Sequence, residues 1–141
     1  MTETATAGRK HNSLKGQVSE VEWETRVALA AGARICHHFG WNNSIRNHFT
    51  GRVPDEPDKF LMNPRGLMWS EITASDFLKV DFEGNCYTES PYMPGPAGLV
   101  FHGAVLKANP DRNCSIHLHE QDSVVVSALK RGLIFTSQDA L

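Results

Sequence analysis

Long apolar runs are absent from this 141-residue sequence, and no stretch reaches the roughly 18 residues that a membrane-spanning helix needs. The N-terminal residues are polar and hold no apolar core segment, which argues against a secretory signal. Charge of one sign is also lacking, because 14 Lys and Arg stand against 16 Asp and Glu. Such a balance offers no field that would attract a nucleic-acid backbone or an anionic membrane. Small molecules or other proteins are therefore the expected partners.

Cysteine is scarce, with only Cys36, Cys86 and Cys114, and no CxxC pair occurs. An odd number of widely spaced cysteines indicates neither a disulfide framework nor a cysteine zinc knuckle. We therefore expect a reducing, cytoplasmic setting. Hydrophobic residues make up 40% of the chain, and a chain of this length forms a core without a disulfide or metal. Any metal would thus serve function rather than folding.

The hydrophobic pattern predicts a mixture of helices and strands. Residues 1–16 lack periodicity and are expected to be a disordered arm that precedes a domain spanning residues 17–141. A capping box at Ser19 and Glu22 opens a predicted amphipathic helix that ends at Gly40. The other predicted elements are strands at 44–53, 59–62, 77–82 and 114–119, helices at 99–108 and 122–131, and the start of a strand at 133–135. This order predicts an α/β domain in which helices flank a sheet.

The most chemically pointed feature is the segment Ile116-His117-Leu118-His119. Side chains two residues apart on a strand project from the same face, so His117 and His119 can bind one metal ion. Neutral imidazole is a common zinc ligand, but a zinc site needs three or four ligands. The alternative is that both histidines face solvent or form local hydrogen bonds.

His102, on the predicted helix before that strand, is a candidate third metal ligand. The competing interpretation is a half-buried histidine hydrogen-bonded to a neighbour. His37 and His38 end the first predicted helix, where imidazolium charge is favourable, and are not expected to be ligands. Cys114 lies three residues before His117 on the opposite face of the strand, which favours a core position.

Motifs spread over about residues 20–141 resemble the class II aldolase/adducin family. They are Asn47 to Pro54 (NHFTGRVP), Phe60 to Leu67 (FLMNPRGL), Glu71 to Ser75 (EITAS), Lys79 to Asp81 with Gly84 and Asn85, Ala97 to His102 (AGLVFH), Ala108 to Asp111 (ANPD), Ile116 to His119 (IHLH), and Gly132 and Leu133 with Ser137 to Leu141 (SQDAL). The order and spacing of so many pieces make the resemblance specific.

The resemblance implies a three-layer α/β/α domain that assembles as a homo-oligomer. In enzyme members it implies a zinc ion bound by the two histidines of the HxH strand, matching His117 and His119, with a third histidine further on and sometimes a glutamate. The implied reaction is lyase cleavage of a carbon–carbon bond in a hydroxy-carbonyl substrate. The residues that match the family's substrate-binding positions are His48, Thr50, Arg52, Asn63 and Gly66.

Two departures from the enzyme pattern stand out. Members that cleave sugar phosphates carry an acid/base glutamate four residues before the position of His102, and here that residue is Gly98. His48 replaces the asparagine usual in sugar-phosphate aldolases. Both departures resemble adducin heads and their bacterial relatives. The alternative function is therefore a non-catalytic binding or oligomerisation module, or a truncated degenerate paralogue that binds a protein partner.

Domains of this family normally continue beyond the segment that ends here at Leu141. The resemblance therefore implies an incomplete C-terminus, and with it a sheet edge that another part or another chain must cover.

Overall fold

A computed structural model of the chain describes residues 13–134. Within them the elements are α1 Glu20–His38, β1 His48–Val53, β2 Glu56–Met62, β3 Leu78–Asp81, α2 Pro96–Ala108, β4 Cys114–His117 and α3 Gln121–Ser127, with a short 3₁₀ helix at Ala74–Asp76. The strands form one antiparallel sheet in the order β3-β2-β1-β4. The prediction of an α/β domain is confirmed at this level.

Helix α1 begins as the sequence predicts. The Ser19 hydroxyl accepts a hydrogen bond from the backbone N–H of Glu22 at 3.2 Å, which satisfies one of the free donors of the first turn. The Glu22 carboxylate accepts from Arg26 Nε at 2.8 Å. At the other end His37 and His38 occupy the last turn, and Gly40 has a φ of 72°. Among residues 13–134, no helix combines the length and apolarity needed to cross a bilayer.

Residues 60–62, the C-terminal end of β2, form a continuous apolar run because both faces of the sheet are covered there. Leu61 belongs to a cluster with α1, whereas Phe60 and Met62 belong to a second cluster with Leu106 of α2. All three β2 residues are fully buried. Alternating side chains of one strand thus fill cores on opposite sides of the sheet, as expected for a sheet with helices on both faces.

Helix α1 lies very close to β1. A Cβ added at Gly32 would lie 2.5 Å from the Phe49 ring, and one at Gly51 would lie 3.2 Å from Leu29. Glycine at both positions is what allows the helix and the strand to approach. The contact leaves Phe49 and Leu29 buried on the α1 side of the sheet.

Three predictions near the C-terminal side of the chain are wrong in detail. Strand β4 ends at His117, so His119 lies beyond it, and α3 ends at Ser127 instead of continuing to 131. Leu133 and Ile134 are not in a strand, and Phe135 lies outside the described residues. Short apolar runs cannot by themselves specify a strand or its length.

The core position expected for Cys114 is also wrong. Cys114 and Ile116 point to the α1 side of β4, and both are exposed. The reason is that α1 packs over β1, while β4 lies at the edge of the sheet described here. The three cysteines are unpaired.

The predicted boundary between arm and domain falls within a segment that contacts the domain. Residues 15–17 form a turn, and the backbone N–H of Leu14 donates to Ser75 Oγ at 3.1 Å. Residues 1–12 of the predicted arm lie outside the described residues. The boundary at residue 16 stays a prediction.

The turn after β3 is held by the carboxylate of Asp81, which is 6% exposed. It accepts hydrogen bonds from the Asn85 side chain at 2.7 Å, the Asn85 N–H at 2.8 Å and the Tyr87 hydroxyl at 2.9 Å. These bonds, the one from the Asn85 side chain foremost, lower the pKa of Asp81 to about 2. The fold therefore favours the charged form of the Asp81 carboxylate.

Asp81→Asn is expected to flatten the acid branch of the stability curve. A carboxyl pKa that is lower in the folded chain stabilises it above the unfolded pKa of about 3.9, and that stabilisation is lost as pH falls towards 2. Urea unfolding midpoints measured between pH 6 and pH 2, with exposed Asp55→Asn as control, test this. An unchanged pH slope in Asp81→Asn would contradict it.

Candidate functional site

The two histidines of the HxH segment converge although only one of them is in β4. Their Nε2 atoms lie 3.0 Å apart, and the rings meet edge to face with centroids 4.8 Å apart. Two imidazoles bound tetrahedrally to one zinc ion at 2.0–2.1 Å would have nitrogens separated by about 3.3 Å. The pair is thus spaced to bind a single metal ion with little movement.

His102 is the most deeply buried titratable group near this pair, with no exposed side-chain surface. Its Nδ1 lies 3.0 Å from the Thr50 hydroxyl, which donates to the Ser115 carbonyl at 3.1 Å. Because a hydroxyl has one proton, the N–H of this contact belongs to His102 Nδ1. The Nε2 atom therefore carries the lone pair, and it has no hydrogen-bond partner among residues 13–134.

His48 connects the two histidine groups. It is the first residue of β1 and stands directly opposite His117 in the antiparallel register. Its ring centroid is 5.5 Å from that of His117, nearly stacked, and 5.5 Å from that of His102, edge to face. Four imidazoles therefore form a row from His102 of α2 through His48 of β1 and His117 of β4 to His119, which follows β4.

Burial favours the uncharged form of three of these imidazoles, those of His48, His102 and His117. Burial first, then His48 and His117, lowers the pKa of His102 to about 4. Burial and the neighbouring HxH histidines also lower the pKa of His48, and burial followed by His119 lowers that of His117. Neutral imidazoles keep the lone pairs that metal binding requires.

Two of the residues predicted to bind substrate, Thr50 and Arg52, make contacts that support the fold around the site. Thr50 is fully buried and fixes the ring of His102. Arg52 lies at the other end of β1, where its guanidinium donates to carbonyls at and beyond the C-terminal end of α2. The acceptors are Leu106, Asn109 and Arg112. A cation at that end complements the helix dipole.

The turn after β2 carries two residues that were predicted to bind substrate, Asn63 and Gly66. Asn63 lines a pocket, and Gly66 does not. Asn63 is 3% exposed and joins the strand ends, since its Oδ1 accepts from the Phe49 N–H at 2.7 Å and its Nδ2 donates to the Asn47 carbonyl at 3.2 Å. It also lines the pocket that contains His48. Gly66 has a φ of 95°, which glycine adopts readily, and is not part of the pocket lining.

This open pocket has a volume of about 520 Å³. It lies between the start of β1, the turn after β2 and the first turn of α2, and none of the residues within 13–134 that line it is acidic. Its residues are Ile45, Arg46, His48, Asn63, Pro64, Arg65 and the segment 95–98. Arg46 lies outside the sequence motifs, and Arg65 belongs to the family motif FLMNPRGL without being a predicted site residue.

The residues described fit a metal ion in part. His117 and His119 supply two converging ligands, and the buried lone pair of His102 is unused. Within residues 13–134, however, no group of three or more His, Cys, Asp or Glu side chains is arranged to hold a metal. A complete site thus requires movement of a described side chain or a ligand from elsewhere.

The chain matches a known protein family over most of its length. The family described as Class II Aldolase and Adducin N-terminal domain matches residues 27–141. The chain belongs to this family. The resemblance that the motifs indicated is therefore confirmed for most of the chain.

Individual members of the class II aldolase and adducin family are also similar to this chain over most of its length. A Caulobacter vibrioides protein, named as an aldolase class 2 protein, is 46% identical over 92% of this chain and 50% of its own. The crystal structure of an aldolase II superfamily protein from Pseudomonas syringae is 39% identical, with a TM-score of 0.85, over 92% of this chain and 52% of that one.

A third relative is the L-fuculose 1-phosphate aldolase from Glaciozyma antarctica, which is 26% identical with a TM-score of 0.78. This chain is covered over 94% of its length and that aldolase over 53%. The chain thus spans about half the length of the relatives that it matches.

Proposed function

We propose that this chain is part of a metal-dependent lyase of the class II aldolase kind, which cleaves a carbon–carbon bond in a small hydroxy-carbonyl substrate. The observation that carries the proposal is the 3.0 Å approach of the Nε2 atoms of His117 and His119. Zinc is the proposed metal, and His102, whose Nε2 lone pair is buried and unused, is the proposed third ligand. The aldolase relatives support the reaction class.

Each residue has a defined task in this proposal. The HxH pair holds the metal, and Thr50 orients His102 by accepting its Nδ1–H, as hydrogen-bond acceptors commonly orient metal-bound histidines. The pocket beside His48, with Arg46 and Arg65, receives the substrate. A bound zinc ion would supply Lewis-acid stabilisation of the negative charge that develops on the carbonyl oxygen during bond cleavage.

We propose three further properties. They are a three-layer α/β/α arrangement of the complete domain, assembly into a homo-oligomer, and a cytoplasmic setting consistent with three unpaired cysteines.

A second candidate function is a non-catalytic binding or oligomerisation module that takes a protein partner, as the adducin part of the family name suggests. The observation that favours it is Gly98, which supplies no acid/base carboxylate to the site. A Cβ there would lie 2.7 Å from two atoms of the His48 ring and 2.5 Å from Met62 Cε, so a residue larger than glycine requires these neighbours to move.

Metal content and aldehyde release together distinguish the two functions. The 141-residue chain would be loaded with zinc, dialysed and analysed for metal, then incubated with a panel of 3-hydroxy-carbonyl compounds, in which the carbon that bears the hydroxyl leaves as the aldehyde. For the lyase we expect about one zinc per chain and aldehyde release that requires zinc. A folded chain that retains no zinc and releases no aldehyde would favour the binding module.

A further inference from the structure

A second pocket, with a volume of about 690 Å³, lies on the other side of the sheet from the histidines. It includes Lys79 of β3, which is paired with Leu61 on the α1 side of the sheet. His48 and His117 face α2 near the opposite edge of the sheet. The two pockets share no residue, and the volume lies within the roughly 300–1,000 Å³ of small-molecule sites.

Three charged residues that line this pocket are bonded to one another. Glu22 Oε1 accepts from Arg26 Nε at 2.8 Å, and Glu22 Oε2 accepts from Lys79 Nζ at 2.8 Å. Lys79 also forms an ion pair with Glu56. The fourth charged residue of the lining, Glu89, is exposed. An anionic ligand would have to compete for cations that already have buried partners, so the lining disfavours it.

Two hydroxyl groups are fixed between residues that line the same pocket. Ser75 Oγ accepts a hydrogen bond from the backbone N–H of Leu14 at 3.1 Å, and Thr88 Oγ1 accepts one from that of Lys79 at 2.8 Å. A hydroxyl that accepts can still donate its own proton. Within residues 13–134, neither of these two protons has an acceptor. Each hydroxyl is therefore held in place by the backbone and can donate to a ligand.

The remaining chemistry of the lining defines the ligand further. Leu14, Val18 and Pro91 supply apolar surface beside the polar groups. A ligand that suits the whole lining has oxygen atoms that accept hydrogen bonds, C–H groups that contact apolar side chains, and no negative charge. Small sugars and sugar alcohols have all three properties.

We propose that this pocket, formed by the start of α1, strand β3 and residues 87–91, is a second ligand site that binds a small uncharged polyhydroxy compound. Ser75 and Thr88 donate hydrogen bonds to its oxygen atoms. The site is separate from the HxH pair and needs no metal. The inference goes beyond the proposed function and does not depend on it.

Xylitol is the probe, because it is uncharged and has no carbonyl group that a lyase could act on. Its binding to the 141-residue chain would be followed by the backbone amide NMR signals, with zinc removed by a chelator. We expect saturable shifts at Leu14 and Lys79, whose N–H groups donate to the two hydroxyls. Xylonate, which has the same carbon chain and a carboxylate, should bind more weakly.

Two kinds of variant test the site. Ser75→Ala and Thr88→Val should each weaken xylitol binding about fivefold, as loss of one uncharged hydrogen bond predicts. Ser127→Ala is the matched control, since it also removes a hydroxyl bonded to the backbone, far from the pocket lining.

The second kind of variant fills the pocket without removing a polar group. Val18→Phe adds a ring at a lining position and should abolish xylitol binding. Val21→Phe adds the same ring at an exposed position of α1 that does not line the pocket, and should leave binding unchanged. Thermal midpoints confirm that each variant is folded.

The proposal is overturned if xylitol causes no saturable shifts, or if Val18→Phe binds it as tightly as Val21→Phe does. Xylonate that binds as tightly as xylitol would overturn the preference for an uncharged ligand. Replacement of both His117 and His119 by alanine should leave xylitol binding unchanged. Loss of binding in that double variant would overturn the separation of this site from the histidines.

Discussion

His117→Ala should lower the zinc affinity of the chain at least tenfold, and the double replacement of His117 and His119 should abolish stoichiometric zinc. Each replacement removes a nitrogen that lies 3.0 Å from its partner, close to the spacing of two ligands on one zinc ion. Loss of a direct ligand is at least as damaging as loss of a group that orients one, which already reduces affinity 10- to 100-fold. Competition with a chromophoric chelator measures the change.

The same measurement of zinc affinity, made on His102→Ala, tests whether His102 is the third ligand. If the buried Nε2 lone pair binds zinc, its loss should weaken binding as much as His117→Ala does. Thr50→Val, which removes the acceptor of the Nδ1–H, should have a smaller effect of the same sign. His38→Ala serves as the control. Zinc affinity that does not respond to His117→Ala would remove the HxH pair from the site, and unchanged affinity in His102→Ala would remove His102 alone.

Glu22→Ala is expected to destabilise the fold by about 3–5 kcal/mol, the cost of leaving a buried charge without its partner. Arg26 is 1% exposed, and burial lowers the pKa of its guanidinium, an effect that the hydrogen bond it donates to Glu22 opposes. Arg26 Nη2 lies 2.8 Å from Glu22 Oε1, and Lys79 Nζ lies 2.8 Å from the other carboxylate oxygen. Urea unfolding with a linear extrapolation gives the free energy.

The exposed ion pair of Asp111 and Arg112 provides the control for this prediction. Its atoms are 3.7 Å apart and its side chains are 74% and 73% exposed, so Asp111→Asn should change stability by less than about 0.5 kcal/mol. A double replacement, Glu22→Ala with Arg26→Met, should recover part of the loss because no buried charge remains. A Glu22→Ala variant as stable as Asp111→Asn would show that Arg26 finds other partners or water.

The sequence predictions that the structure confirms depend on short stretches of the chain. Ser19 marks the start of α1 because a hydroxyl can accept from an N–H three residues later without any tertiary contact. The run Phe60-Leu61-Met62 marks a strand covered on both faces. Where the signal was a brief apolar run, as at 133–135, local pattern gave no reliable strand.

The candidate site could be predicted only in part, because some of its contacts join residues that are far apart in the sequence. His117 and His119 are two residues apart, so their approach follows from local geometry even though the strand ends between them. Thr50 and Arg52 match family positions, but one fixes a histidine and the other binds the end of a helix. Those partners lie more than 50 residues away along the chain, where periodicity carries no information.

The sequence by itself determined the family, the α/β class, the start of α1 and the pairing of the HxH imidazoles, because each depends on residue types at short spacing or on ordered motifs. Only the tertiary structure decided that His48 lies between His117 and His102, and that the buried Nε2 of His102 has no partner within residues 13–134. It also decided that Gly98 leaves room for the His48 ring. These facts depend on how α2 docks on β1, and packing distances across a sheet follow from shape and volume rather than from local pattern.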